Sequence, residues 1–254
     1  MALQPWRKAI VIRIADETPV TRRFWIQVPE LNAFDFIPGQ FVTIDLPIHE
    51  KANKRWRSYS IASWPDGTNI FELIIVLMED GAGTSYLFNE VKEGSELTIR
   101  GPQGVFVLPD NIDRDLFFIC TGTGIAPFRA MTHHILNNNI PHQHIYLIFG
   151  CRKISDALYS AELHELEQKV SSFHYLPVFS REASENKEHF IRTGYVHAVY
   201  EEICRKNSTP SGTGMELKPA SFYLCGWKNM VDEAKQRIQG LGYDKKSIHL
   251  ELYG

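Results

Sequence analysis

The sequence has few cysteines, and none of them stand in a closely spaced pair. The four thiols are scattered without a C-x-x-C motif, at Cys120, Cys151, Cys204 and Cys225. This pattern is typical of free thiols in a reducing compartment, so we expect a cytoplasmic protein. It also excludes a plant-type iron–sulfur cluster on this chain, because the ligand run C-x4-C-x2-C is missing.

An excess of positive charge and a long apolar run are also missing. The 27 Lys and Arg residues against 30 Asp and Glu residues give a formal net charge of −3. Bulk binding to nucleic acid, which depends on a strong positive field, is therefore disfavoured. No apolar run approaches the roughly 18 residues of a membrane-spanning helix. Histidines cluster between positions 133 and 144, but His133 and His134 are adjacent and would point to different helix faces, so we expect no metal site.

The apolar material that is present suffices for two cores, since 44% of the 254 residues are hydrophobic. Six short β-rich segments in the first 110 residues predict a six-stranded antiparallel β-barrel with one short helix. From residue 111 strands alternate with helices, which predicts a Rossmann-like α/β domain with a parallel sheet. We therefore expect two domains, 1–110 and 111–254. The polar segment 206–219 predicts a surface loop.

A glycine-rich turn follows the apolar segment Leu116–Cys120. Residues 121–129 read Thr-Gly-Thr-Gly-Ile-Ala-Pro-Phe-Arg, and a helical pattern continues from Pro127 to Asn137. A strand, a glycine turn and a helix in this order present bare backbone N–H groups and a positive helix end to a phosphate. Pro127 suits the first turn of a helix, where its missing N–H has no intrahelical partner. The alternative interpretation is an ordinary tight turn.

Two upstream segments carry similar chemistry. Arg57–Ser63 has strand character, and it offers an arginine fork that matches a phosphate and a tyrosine ring for an aromatic ligand. Asp80–Leu87 is a second glycine-containing loop with hydroxyl residues at a helix start. Taken singly, these segments also fit a half-exposed strand and a capped turn.

In this order the three motifs resemble the ferredoxin–NADP reductase family of flavoenzymes. The resemblance spans essentially the whole chain and includes Gly101–Gly104, Phe149–Arg152, Leu158–Tyr159, Tyr223–Gly226 and Glu251–Tyr253. It implies a flavoprotein oxidoreductase that transfers hydride between NADPH and FAD. It also implies single-electron exchange with a small acceptor protein, ferredoxin or flavodoxin.

The resemblance assigns the flavin to the first domain. Tyr59 is expected to stack on the ring and Arg57 to meet the pyrophosphate. The other residues expected at the flavin are Ser58, Ser60, Gly83, Thr84 and Ser85. FAD is expected rather than FMN, because most relatives of this size without an iron–sulfur domain use FAD.

The resemblance assigns the nucleotide to the second domain. Its pyrophosphate is expected at Thr121, Gly122, Thr123, Gly124 and Pro127. NADPH carries an additional phosphate, which favours arginine forks, and the residues that resemble its readers are Arg152, Ser180 and Arg181. Asp156 is an acid typical of NADH-using relatives, so NADH is the second choice. Exposed arginines in surface ion pairs are the alternative interpretation.

By the same resemblance, Ser60, Cys225 and Glu251 surround the contact between nicotinamide and flavin, and Gly226 lies beside Cys225. Ser60 is expected near flavin N5, Cys225 against the nicotinamide, and Glu251 in a role that orients Ser60 or relays a proton. Tyr253 is expected to cover the flavin and to move aside for the nicotinamide. A strand serine, a buried small side chain and a surface acid are the structural alternatives.

Other functions remain open from sequence. The chain fits an NADH-dependent reductase component of an oxygenase, or a free-flavin or ferric reductase. It also fits a subunit that binds flavin and nucleotide only to sense redox state. Four cations, Arg7, Lys51, Lys54 and Arg55, form either a docking patch for an acidic carrier or a solvated loop. The sequence carries no marker of oligomeric state.

Overall fold

The computed structural model describes residues 4–182, 191–211 and 214–253. The chain divides into two compact units. The first comprises the chain up to Leu108 together with Ala126–Asn139, and the second comprises Pro109–Ile125 and the chain from Ile140 onward.

The first unit is a six-stranded antiparallel sheet, as the sequence predicts. Its strands are β1 (Trp6–Thr18), β2 (Thr21–Gln27), β3 (Phe41–Asp45), β4 (Trp56–Ser60), β5 (Ile70–Val76) and β6 (Glu96–Gln103), and one helix, α1 (Ala82–Asn89), follows β5. The strand order is β4-β3-β6-β1-β2-β5. A bridge between Ile61 and Leu73 brings the two outer strands together and closes the barrel. Alternate side chains of the strands, such as Val42 and Ile44 on β3, are fully buried and form the core.

The second unit is a parallel sheet with helices. Its elements are β7 (Asp115–Thr121), β8 (Ile145–Cys151), α3 (Ser160–Lys169), β9 (Phe173–Phe179), β10 (Arg192–Thr193), α4 (Val196–Asn207), β11 (Thr209–Ser211), β12 (Gly214–Glu216), β13 (Ala220–Trp227), α5 (Lys228–Gly240) and β14 (Ile248–Tyr253). The main sheet has the order β10-β9-β8-β7-β13-β14, with every pair parallel. The chain order reverses between β7 and β13, and open α/β sheets bind ligands at such a switch point.

The sequence-based prediction of this sheet was confirmed, with two differences. The segment predicted as a surface loop, 206–219, contains a short antiparallel pair, β11 with β12, in which Thr209 lies opposite Glu216; residues 212–213 lie outside the described residues. Polar strands of three residues give no apolar alternation, which is why the pattern indicated a loop. The two edge strands, β10 and β14, were not predicted either.

Helix α2 (Ala126–Asn137) follows β7 in sequence but belongs to the first unit. Its Phe128 packs edge-on against Phe106, with ring centroids 5.9 Å apart. The division of the chain at residue 110 stays a prediction. The helices of the described residues include none that is long and apolar enough to cross a membrane.

Substituting Gly39 with alanine tests the seat of α2 on the first unit. Gly39 has a φ of +101°, and an added Cβ would lie 1.9 Å from the carbonyl oxygen of Phe106 and 2.5 Å from Cε of Met131. Gly67 is the matched control, because its φ is +79° but its added Cβ meets nothing within 4 Å. We expect both Gly→Ala variants to lose stability through strain, and Gly39→Ala to lose about 1–3 kcal/mol more through overpacking. Equal losses in urea unfolding would contradict this account.

Candidate cofactor and nucleotide sites

An arginine and a helix N-terminus meet in the first unit. A Cβ added to Gly83 would lie 2.9 Å from Cγ and 3.2 Å from Nε of Arg57, so the arginine side chain lies across the start of α1. The helix begins after Gly81 with no side-chain cap. Its first N–H groups and a guanidinium therefore lie together, and both favour an anion. The cradle fits a pyrophosphate such as that of FAD.

Hydroxyl groups shape this cradle from within. Thr84 Oγ1 accepts a hydrogen bond from Met78 N at 3.1 Å and donates one to Gly81 O at 3.0 Å. Because these bonds close the loop, the backbone rather than the Thr84 hydroxyl is the donor left for a phosphate. Ser85 N donates to Gly81 O at 2.8 Å and so begins the helical bonding pattern.

The other residues predicted at the flavin lie on β4. Tyr59 packs against the barrel core, and burial raises its pKa to about 12, while the charge of Arg57 acts in the opposite direction. Ser58 Oγ lies 3.0 Å from Thr43 Oγ1. Ser60 is 5% exposed and pairs with Phe41 across the sheet. Because burial raises the pKa of Tyr59, its phenol is neutral at physiological pH.

The residues predicted at the nucleotide follow the carboxyl edge of the parallel sheet. On one side of β7, this edge carries Ser180 after β9, Cys151 at the end of β8 and Arg152 after it. Thr121 ends β7 itself. On the other side lie Cys225 and Gly226 on β13, and Glu251 and Tyr253 on β14. From β9 to β13 is three strand spacings, or about 14 Å at about 4.8 Å each. We call this row of residues the carboxyl-edge row.

The middle of the carboxyl-edge row is a backbone-to-backbone contact. A Cβ on Gly124 would lie 2.4 Å from Cys225 O, and one on Gly226 would lie 2.4 Å from Thr121 Oγ1. Only glycine permits this approach at both positions. Above Gly122, whose φ is +53°, a Cβ would meet nothing within 4 Å. The turn Gly122–Ile125, which includes Thr123, is a short 3-10 helix that leads into α2, and Pro127 lies in the first turn of α2.

One end of the carboxyl-edge row carries cations and acids together. Ser180 N donates to Cys151 O at 3.0 Å, and Arg181 N donates to Arg152 O at 2.8 Å, so the two arginines lie on adjoining segments. Both side chains are exposed. Glu182, which sequence reasoning left without a role, accepts a hydrogen bond from Ile154 N at 3.0 Å.

Asp156 has a structural role at this end of the row. It accepts a hydrogen bond from Lys153 N at 3.0 Å. Asp156 and Glu182 therefore each accept a hydrogen bond from a backbone N–H group, and neither depends on an arginine for a partner.

The other end of the carboxyl-edge row brings three predicted residues together. Cys225 pairs with Glu251, and Trp227 pairs with Tyr253, in the register of β13 and β14. Cys225 is fully buried. Burial raises the pKa of its thiol well above the usual value, the charge of Glu251 raises it further, and a side-chain hydrogen bond with Tyr253 lowers it. The thiol is therefore protonated at physiological pH. Gly254 lies outside the described residues.

The structure gives two cations of the predicted docking patch their own partners. Arg7 forms an ion pair with Glu30, and Arg55 binds Asp45 through Nε at 2.6 Å and through Nη2. Lys51 and Lys54 are exposed. The patch is therefore smaller than the sequence suggested, since two of its four charges are balanced locally. Carboxylates so distant in sequence cannot be identified from a local motif.

Comparisons with known proteins identify the two domain families of the chain. Residues 8–108 match the oxidoreductase FAD-binding domain family, and residues 118–236 match the oxidoreductase NAD-binding domain family. The chain is 32% identical to ferredoxin–NADP reductase B of Sorangium cellulosum, over 97% of each chain. It is 28% identical to the phenol hydroxylase P5 protein of Acinetobacter pittii, over 97% of this chain but 65% of that protein.

A solved structure extends the comparison to three dimensions. The crystal structure of a ferredoxin NADP+ reductase from Neisseria gonorrhoeae with bound FAD and NADP has a TM-score of 0.77 at 22% identity, and the match covers 97% of this chain and 98% of that one. At this identity the match shows the fold.

Thiol accessibility tests the described environment of Cys225. Cys120, Cys204 and Cys225 are buried, and Cys151 is partly exposed. Burial, Asp156 and Glu182 raise the pKa of Cys151 to about 12, so its thiolate at pH 8 is about a thousandfold rarer than that of a free cysteine. We expect the native protein to react with Ellman's reagent slowly and at one thiol, and urea to expose all four. Fast reaction of a second thiol, or persistence of the slow phase in Cys151→Ser, would contradict the assignment.

Proposed function

Because the chain belongs to the ferredoxin–NADP reductase family of FAD-dependent oxidoreductases, we propose that it transfers hydride between NADPH and FAD and exchanges single electrons with ferredoxin or flavodoxin. One observation carries the proposal: each unit contains its own anion cradle built from glycine turns. In the first, Arg57 crosses Gly83 at the start of α1. In the second, the Thr121–Gly124 turn packs on Cys225 and Gly226 at the switch point of the sheet.

The first cradle supports FAD. Arg57 and the uncapped N-terminus of α1 supply the charge and the N–H donors for a pyrophosphate. Tyr59 presents a ring that the barrel core holds in place. Ser58, Ser60, Gly83, Thr84 and Ser85 complete the proposed flavin site. FMN has no pyrophosphate, so this cradle favours FAD.

The carboxyl-edge row supports an extended dinucleotide. We assign the pyrophosphate to Thr121, Gly122, Thr123, Gly124 and Pro127. We assign the additional phosphate of NADPH to Ser180, Arg181 and Arg152 at one end, and the nicotinamide to Cys225 and Gly226 at the other. NADH is the second choice, because it lacks the additional phosphate to which we assign the arginines.

Each residue that we assign to the nicotinamide end of the carboxyl-edge row has a separate role. The two cofactors supply the hydride chemistry when bound. Cys225 supplies a neutral, buried surface, because its thiol stays protonated. Glu251 would orient Ser60 or relay a proton, and Ser60 would donate a hydrogen bond to the flavin. Tyr253 would cover the flavin ring and exclude water from it.

The acceptor is the least constrained part of the proposal. The chain has no cysteine run for an iron–sulfur cluster, so any such cluster in the electron path would lie outside residues 1–254. Ferredoxin or flavodoxin is the first candidate, in the cytoplasm. The second is an oxygenase system, favoured by the 28% identity to the phenol hydroxylase P5 protein, which is a longer chain. A free-flavin or ferric reductase and a redox-sensing subunit without turnover are tested by the same experiment.

Anaerobic titration of the purified protein tests the proposed function. We expect one bound FAD, and loss of its visible absorbance on mixing with NADPH, faster than with NADH. Added ferredoxin or flavodoxin should then restore the absorbance and become reduced. A protein that takes up no flavin, or whose flavin neither nucleotide reduces, would contradict the oxidoreductase. Reoxidation by an oxygenase component alone would select the alternative.

Substituting Arg181 tests the choice of nucleotide. A charge-assisted hydrogen bond contributes about 1.5–3 kcal/mol, so Arg181→Ala should raise the KM for NADPH by about 10- to 100-fold. The KM for NADH should stay within about twofold. Arg205→Ala is the control, because Arg205 is an exposed arginine in the same unit that pairs with Glu201 on α4. Equal losses with both nucleotides would refute the assignment of Arg181 to the additional phosphate.

A further inference from the structure

A buried carboxylate in the first unit joins two arginines from different elements. Glu72 on β5 is 3% exposed. It accepts hydrogen bonds from Arg23 Nε at 2.7 Å and Nη2 at 3.0 Å, and from Arg129 Nη1 at 3.3 Å. Arg129 is itself 4% exposed. None of the three residues is among those to which we assign the flavin or the nucleotide.

Arg129 also binds the continuation of the flavin strand. Its Nη1 donates to Ala62 O at 2.9 Å, and its guanidinium lies 5.2 Å from the ring centroid of Trp64. His133, one turn further along α2, stacks on the same indole with centroids 4.0 Å apart and planes inclined by 19°. Ala62 and Trp64 follow directly after the segment Arg57–Ser60 on which we place the flavin. Helix α2 is therefore attached to the residues that follow this segment, by a hydrogen bond to Ala62 and by ring contacts with Trp64.

The N-terminal end of α2, which carries Arg129, is continuous with the nucleotide turn. The 3-10 turn Gly122–Ile125 ends one residue before α2 begins, and Arg129 lies in the first turns of the helix. Any rotation or shift of α2 would move the turn to which we assign the pyrophosphate. Resting on the proposed function, we propose that Arg129 is a positioning residue, which through Glu72 and Ala62 fixes the first turn of α2, the helix that begins directly after the nucleotide turn, and that the rate of hydride transfer depends on this.

The chain offers a matched control for this role. Arg23 binds the same carboxylate through two donors but lies on β2 rather than on α2. Arg23→Met and Arg129→Met each remove one arginine and leave Glu72 paired with the other. Methionine fills the space of the arginine stem. Both variants should lower the unfolding temperature, but only Arg129→Met releases the helix.

The test compares the rate of flavin reduction with two signals that do not depend on turnover. We expect Arg129→Met to keep its FAD but to reduce it about 10- to 100-fold more slowly at saturating NADPH, since small misplacements cost rates of that order. The long-wavelength charge-transfer absorbance of the nicotinamide–flavin complex should weaken. Amide hydrogen exchange in α2 should accelerate, in the FAD-free protein as well. Arg23→Met should keep the rate within about twofold and the charge-transfer band at wild-type strength.

A second variant, Trp64→Leu, tests the same role if Arg129→Met does not fold. Trp64→Leu leaves Arg23, Glu72 and Arg129 in place but removes the indole that contacts Arg129 and His133. The rate of flavin reduction and the charge-transfer absorbance should therefore fall as in Arg129→Met, but by less. Wild-type rate and charge-transfer absorbance in Trp64→Leu, or equal losses in Arg23→Met and Arg129→Met, would overturn the positioning role. A wild-type protein that neither nucleotide reduces would instead overturn the proposed function.

Discussion

The close approach of two backbone turns at the switch point of the parallel sheet governs the rest of the second unit. Gly124 faces the carbonyl of Cys225, and Gly226 faces Thr121, at distances where a Cβ would collide. In the turn after β7, a Cβ added to Gly122 would meet nothing within 4 Å, so the backbone there is open to a ligand. Because β8 and β9 lie on one flank of β7 and β13 and β14 on the other, the ends of all five strands fall into one row. A phosphate bound at the turn would then have arginines to one side and the Cys225 region to the other.

Local features of this arrangement could be predicted from the sequence, and non-local ones could not. The Gly-Thr-Gly turn, the Arg-Ser-Tyr-Ser strand and the alternation of β-rich segments are short patterns whose chemistry is readable within ten residues. The seat of α2 on the first unit depends instead on Phe106, Glu72 and Ala62, which are remote in sequence from Phe128 and Arg129. The bond from Ile154 N to Glu182 likewise joins two loops. Side chains that serve such contacts carry no motif of their own.

The mixed charge around Arg152 and Arg181 follows from how the neighbouring acids are used. Asp156 and Glu182 each accept a backbone N–H from the 153–154 segment, which shapes the loop and reduces the attraction of these carboxylates for the arginines. The arginines stay exposed and available to a phosphate. Specificity is a difference between two affinities. The same acids that order the loop would also repel an additional phosphate, so the proposed preference for NADPH requires the attraction of the arginines to exceed that repulsion.

The Arg23–Glu72–Arg129 cluster is better explained by geometry than by stability. Removing three charged groups from water carries a large desolvation penalty, and apolar side chains of similar volume often stabilise a protein equally well. The apolar contacts of α2, such as Phe128 with Phe106, tolerate small rotations of the helix because dispersion forces have little directionality. A guanidinium that must satisfy Ala62 O at 2.9 Å and Glu72 at 3.3 Å tolerates far less. Since α2 begins where the nucleotide turn ends, this loss of freedom is useful at a helix whose rotation would disturb the proposed phosphate site.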